Sequence, residues 1–267
     1  MKRIIVAILP PVIVQLIKKV LRLAGLRKST HVAKFSNSIF VESPKFALYQ
    51  RGNRPFYVNA EDLRYGGGVA FSENQHHFIR YYNHGYSALK DFYQSHQPDN
   101  IFDQHFLDCR FPISAEQNIL PWTMLEDNRP FRGENGLDHT HGRQHYGPVS
   151  ERKVGLEASR LDSILLSIKQ HGYKEEYGFP RGYLLEHDQK DDLKFLVVGG
   201  QHRAAAMVAL QFDPVPVMFQ PNYPRIIRRS DVADWPQVAS GLFEADSALL
   251  VFDAYFRHPN DKLILTN

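Results

Sequence analysis

FLVVGGQHRAAAMVAL, residues 195–210, decides how the rest of the chain is read. Its apolar start predicts a buried strand, the glycine pair a turn, and the alanine-rich remainder a helix. Gly199 and Gly200 suit a backbone that takes positive φ and comes close to a ligand. The amides of Gln201, His202 and Arg203 then emerge from a helix N-terminus, where free N–H groups and the helix dipole favour an anion, most commonly phosphate. His202 and Arg203 add side-chain donors, and the Arg203 guanidinium suits two-pronged phosphate contact. The turn is shorter than a P-loop or a G-x-G-x-x-G motif, and neither is present. The alternative is a tight strand-to-helix turn beside a solvated arginine.

Outward from this stretch the pattern stays regular. LEASRLDSILLSIKQHG (156–172) predicts an amphipathic helix with Leu156, Leu161, Ile164, Leu165 and Ile168 on one face and Gly172 as its stop. GYLLEH (182–187) and LKFLVV (193–198) read as strands around the charged turn DQKDD, and VPVMF (215–219) as a buried strand. That succession implies an α/β or α+β sheet domain, with a last helix over 247–256 packed outside it. Upstream, residues 38–82 read as short strands in an irregular meander, among them SIFVES, KFALYQ, PFYVN and the glycines 66–68. Gln75, His76 and His77 are expected in a turn or on the surface. Residues 86–96 read as a helix, and a loop-rich stretch runs from there to about 150. In it, Trp122 reads as a packing anchor beside Pro121, as Trp235 does beside Pro236.

The chain has 267 residues, 43% hydrophobic and 23% charged, the balance of a folded protein. A net charge of +3 gives no support to general nucleic-acid binding. One cysteine, Cys109, excludes an intrachain disulfide and a thiolate metal cage, so a reducing compartment, the cytoplasm, is expected. Residues 1–28 modify that expectation. Their apolar run is broken by Pro10, Pro11 and Gln15 and is too short to span a bilayer. Val12, Ile13, Leu16, Ile17, Val20 and Leu21 fall at helical spacing opposite Lys18, Lys19 and Arg22, a pattern suited to lying on the inner face of the cytoplasmic membrane. A helix docked on the protein's own core and a signal peptide are the competing readings.

GGQHRAAAMVALQFDPVPVMF, preceded by RLDSILLSIKQHGY, resembles the ParB/sulfiredoxin superfamily over roughly residues 148–220. The matching positions are Arg160, Leu161, Ser167, Ile168, Gly172, Gly199, Gly200, His202, Arg203, Ala206, Val215, Pro216 and Val217. The resemblance implies an α+β fold, a mixed sheet with flanking helices. Around it stand the amphipathic helix (1–28), the β-rich and loop region wrapping the core (29–147) and a C-terminal helical extension (221–267). It further implies a nucleotide cradle of Gly199, Gly200, Gln201, His202 and Arg203, joined by Ser150 and Arg160. Gln201 stands where sulfiredoxins carry their nucleophilic cysteine, which argues against sulfinate repair, and residues after 221 do not read as the helix-turn-helix of chromosome-segregation relatives. The branch that remains resembles the free-serine kinases, which use a glutamate base before or at this helix; Glu157 or Glu151 holds that place here.

These features lead to an expected kinase that uses ATP or ADP with Mg²⁺ and phosphorylates a hydroxyl of a small molecule or sugar. The N-terminal pattern also resembles enzymes of bacterial surface-polysaccharide pathways, which implies a glycan acceptor. A nucleotide-binding switch or scaffold is the alternative, and a ParB-like nuclease a weaker one. In the segment GLDHTHGRQHYGPVS (136–150), His141, Arg143 and His145 are expected to line the substrate pocket. His139, His141 and His145 with Asp138 also have a spacing seen in metal sites, but no second ligand set accompanies them and no metal site is assigned.

Overall fold

The computed structural model describes residues 43–108, 119–124 and 132–263. Residues 1–42, which hold the proposed membrane-facing helix and most of SIFVES, and Cys109 lie outside the described residues.

The chain is a mixed α+β structure. Described in order, it forms helix α1 (Pro44–Ala47), strands β1 (Phe56–Val58), β2 (Leu63–Tyr65) and β3 (Val69–Ala70), and helices α2 (His77–His84), α3 (Tyr86–Ser95) and α4 (Ile101–Gln104). The hairpin β4 (Gly133–Glu134) and β5 (Leu137–Asp138) precedes the long helix α5 (Glu151–His171). Then come β6 (Arg181–His187), β7 (Asp192–Gly199), α6 (Gln201–Ala209), β8 (Val215–Phe219), β9 (Ile226–Arg228), α7 (Pro236–Ala239) and α8 (Ala245–Asp253).

β6 and β7 are an antiparallel pair, from Arg181 opposite Gly199 to His187 opposite Asp192. Side chains alternate across a strand with period two. Leu184, Phe195 and Val197 therefore join one core, and Tyr183, Leu185 and Leu196 join another on the opposite face. Burial on both faces is why LKFLVV is a continuous apolar run and does not alternate. One edge of β6 takes two strands in succession, both parallel to it: β8, with Gly182 opposite Phe219, then β9, with Leu184 opposite Ile226. β2 runs parallel to β7, so the sheet order is β1-β8-β6-β7-β2-β3 with β9 also on β6. Strands from residues 56–70 thus complete a sheet whose centre comes from residues 181–219.

One face is covered by α2, α3, α5 and α6 through Phe78, Leu89, Leu161 and the buried run Ala204–Met207. The other is covered by α8 and its neighbours, with Trp122, Trp235, Phe252 and Tyr255 in the core. Both tryptophans are buried anchors, at 5% and 3% exposure. α5 starts at Glu151, one turn before the predicted 156, because Ser150 caps it: its Oγ accepts from the Lys153 amide at 3.2 Å. Gly172 ends it with φ 74°.

Two expectations fail. KFALYQ is no strand; Ser43 and Pro44 start a short helix there, proline suiting the first helical turn. Gln75, His76 and His77 are not on the surface: they are 5%, 0% and 1% exposed. The Gln75 amide binds the carbonyls of His258 and Asp261, and the His76 ring accepts from the Phe78 amide to cap α2. His77 stacks on Phe92 with centroids 4.1 Å apart.

Candidate functional site

β7 ends at Gly199, and Gly200 turns the chain into α6 at φ 71°, ψ 28°. A Cβ on Gly200 would stand 3.1 Å from Pro180 Cα, so both conformation and space call for glycine; a Cβ on Gly199 would meet nothing nearer than 3.8 Å. The first backbone bond of α6 runs from the Ala204 amide to the Gly200 carbonyl at 3.0 Å, which leaves the amides of Gln201, His202 and Arg203 ahead of the ladder.

Positive side chains gather at this turn. The Arg203 guanidinium donates to the Gly178 carbonyl. A Cβ on Gly178 would lie 3.7 Å from Arg203 Nη1 and 3.9 Å from Arg181 Nη2, so two guanidinium groups converge there. Arg203 also walls a cavity of about 320 Å³ with Ser163, Ile164, Ser167 and Ile168 of α5 and with Tyr173 and Tyr177. Burial pushes the Tyr173 phenol up to about 12 against the opposing pull of Arg203.

Beside the turn lies a buried group of charges. Glu157 is fully buried. Its Oε1 meets Lys153 Nζ at 2.7 Å and Arg160 Nη1 at 2.9 Å, and its Oε2 meets His202 Nε2. Glu134, carried in by the β4–β5 hairpin, contacts the same Lys153 and accepts from Arg160 Nη2 at 2.9 Å. Burial alone would raise the Glu157 carboxyl, but His202 and Lys153 outweigh it and hold the group at about 2. A carboxylate only accepts, so Nε2 of His202 is the donor in this contact. The His202 ring stacks on Phe78, with 4.5 Å between centroids.

The site residues expected from sequence divide. Gly199, Gly200, Gln201, His202, Arg203, Arg160 and Glu157 come together. Glu151 does not join them: it is exposed and bound by Lys90 at 2.9 Å and the Tyr86 hydroxyl at 2.9 Å. Six residues of helix, about 240° of net rotation, set it on another side of α5 from Glu157. Ser150 is occupied in the α5 cap, where its Oγ meets His141 Nδ1 at 2.7 Å, so both belong to the helix start. Arg143 bridges to Tyr146 through the backbone. His145 lies against Tyr65, 5.1 Å between centroids, with Nδ1 buried and without a hydrogen-bond partner among the described residues. Burial lowers its ring to about 4. His145 is also within electrostatic range of Glu157, His202 and Lys153, and beside it the Gln144 amide contacts Gln201 Oε1. The Gln144 carbonyl is fixed by Tyr93 Oη at 3.0 Å, His77 Nε2 at 3.1 Å and Tyr65 Oη at 3.3 Å.

Sequence reading missed Lys153, Glu134, Arg181 and Gln144. Lys153 stands four residues before Glu157, a helix ion-pair spacing that was there to be found. Glu134 and Gln144 reach the site only through tertiary folding, and Arg181 only through its register opposite Gly199. Among the described residues, no three His, Cys, Asp or Glu side chains are grouped to hold a metal ion. Compared with protein-family models and with curated proteins, the chain matches none.

Proposed function

We propose that the chain is a nucleotide-dependent kinase built on a ParB/sulfiredoxin-like core, with the phosphates of ATP or ADP seated on the α6 N-terminus. The convergence of Arg181 and Arg203 on Gly178, beside the three amides that precede the α6 ladder, carries this reading. The cavity walled by Arg203, Ser163, Ser167 and two tyrosines supplies room for the nucleoside, at the lower end of the ~300–1,000 Å³ of small-molecule sites. The arrangement suits phosphoryl transfer, which asks mainly for positioning and charge stabilisation. Mg²⁺ would be carried in by the phosphates, since the side chains at the turn are cationic and offer it few ligands. Glu157 is too buried and too acidic to take a hydroxyl proton itself. It holds the His202 ring through Nε2, and His202 Nδ1 accepts the proton. The acceptor is a hydroxyl of a small molecule or sugar, in the pathway context of a surface glycan. No helix among the described residues is long and apolar enough to cross a membrane; the proposed attachment to the inner membrane face rests on residues 1–28.

Thermal unfolding with ATP, ADP, CTP or GTP, each with and without Mg²⁺, tests the premise. A ligand at a hundredfold excess over its Kd stabilises by about 2.7 kcal/mol. Arg203→Ala is expected to abolish the shift, and no shift with any nucleotide overturns the reading. His202→Asn is expected to keep the shift and lower turnover by about 10²–10⁴. The complete burial of Glu157 favours a second reading, a nucleotide-binding switch, for which the shift is present and turnover absent.

A further inference from the structure

A cleft of about 480 Å³ opens on the sheet face away from α5 and α6. Its floor is aromatic. Trp122 and Trp235 meet edge to face at 5.3 Å, Trp122 Nε1 donates to the Tyr183 hydroxyl at 2.9 Å, and Tyr223 lies parallel to Tyr183 within 8° at 6.0 Å. Asn222, Arg228, Asp231 and Asp234 stand among its lining residues. Arg228 is paired with Glu186 at 2.8 Å, while Asp231 and Asp234 have no basic partner among the described residues.

We propose that this cleft binds a neutral carbohydrate. The partly exposed Tyr223 ring, backed by the buried Tyr183, Trp122 and Trp235, offers apolar surface to the C–H face of a pyranose, and few convergent polar groups fix its orientation. Carboxylates only accept, a guanidinium only donates and an amide does both, so the polar lining asks for a ligand with closely spaced donors and acceptors. Adjacent hydroxyls meet that demand. A phosphorylated or acidic ligand would face Asp231 and Asp234. This site goes beyond the nucleotide reading and shares no lining residue with the Arg203 cavity.

The test titrates soluble gluco-, manno-, galacto- and N-acetylglucosamine oligosaccharides onto the full chain, followed by saturation-transfer NMR and tryptophan fluorescence. Saturable binding of at least one is expected. Tyr223→Ala and Asp234→Asn, both outside the buried core, should each weaken it by about tenfold or more. Arg203→Ala should leave it unchanged, which separates this result from the fate of the nucleotide reading. The proposal is overturned if no neutral oligosaccharide binds at millimolar concentration, if only amines or acidic sugars bind, or if binding survives both cleft variants.

Discussion

Gly200 and Glu157 show how much single positions decide at the turn. Gly200→Ala has to hold a side chain at φ 71° and against Pro180, which costs about 1–2 kcal/mol and moves the amides that follow. Nucleotide binding should therefore fall in Gly200→Ala, whereas Gly199→Ala, with ordinary contacts, should bind normally; paired titrations check this. Removing the Glu157 charge leaves Lys153 and Arg160 with Glu134 alone. Glu157→Gln should cost about 3–5 kcal/mol of stability in chemical denaturation. The glycine, histidine and arginine of the turn were legible because a helix start is a local event written in consecutive residues. Arg181 and Glu134 were not, because register and hairpin docking bring them there from distant parts of the chain.

At the scale of elements, α5 and the histidine-bearing helices respond to different perturbations. Ser150→Ala removes the α5 cap and the His141 contact together, an expected loss of about 1 kcal/mol by thermal unfolding. Burial in and around α2, α3 and α4 lowers His76 and His105 to about 3 and His96 and His145 to about 4. These rings are neutral when folded but take up protons near 6.5 when unfolded, so they contribute no penalty above that pH. Stability should fall as pH drops from 6.5 toward 4, by up to about 1.4 kcal/mol per pH unit for each ring. Glu157 adds a second loss as pH falls from 4.5 toward 2. Unfolding midpoints measured from pH 7.5 to 4.5 check this, and a flat profile contradicts it. The pattern from α5 to β8 was legible because hydrophobic period and glycine stops mark each element. KFALYQ misled because its aromatic and apolar residues match a strand while Pro44 starts a helix. Gln75–His77 misled because polar residues buried by capping and stacking look like a turn until their partners arrive.

Across the whole molecule, the β-rich residues ahead of 148 and the helices after 221 are parts of one three-layer arrangement. β1 and β2 pair with β8 and β7, and Trp235, Phe252 and Tyr255 cover Tyr183, Leu185 and Leu196. A fragment of residues 148–220 exposes that face and both sheet edges, so it should lack a cooperative thermal transition, which calorimetry would show. On that outcome residues 148–220 are a core that depends on its surroundings. The succession of β8 and β9 along one edge of β6 has a consequence for change over generations. The ladder leaves β8 at Gln220, whose amide binds Gly182, and resumes where the Leu184 amide meets the Arg225 carbonyl. Residues 221–224 bulge out between these two anchorages and carry Asn222 and Tyr223 into the aromatic cleft. Lengthening or rewriting that bulge leaves the strand pairing intact, so the preference of the cleft can diverge among descendants while the sheet beneath it stays the same.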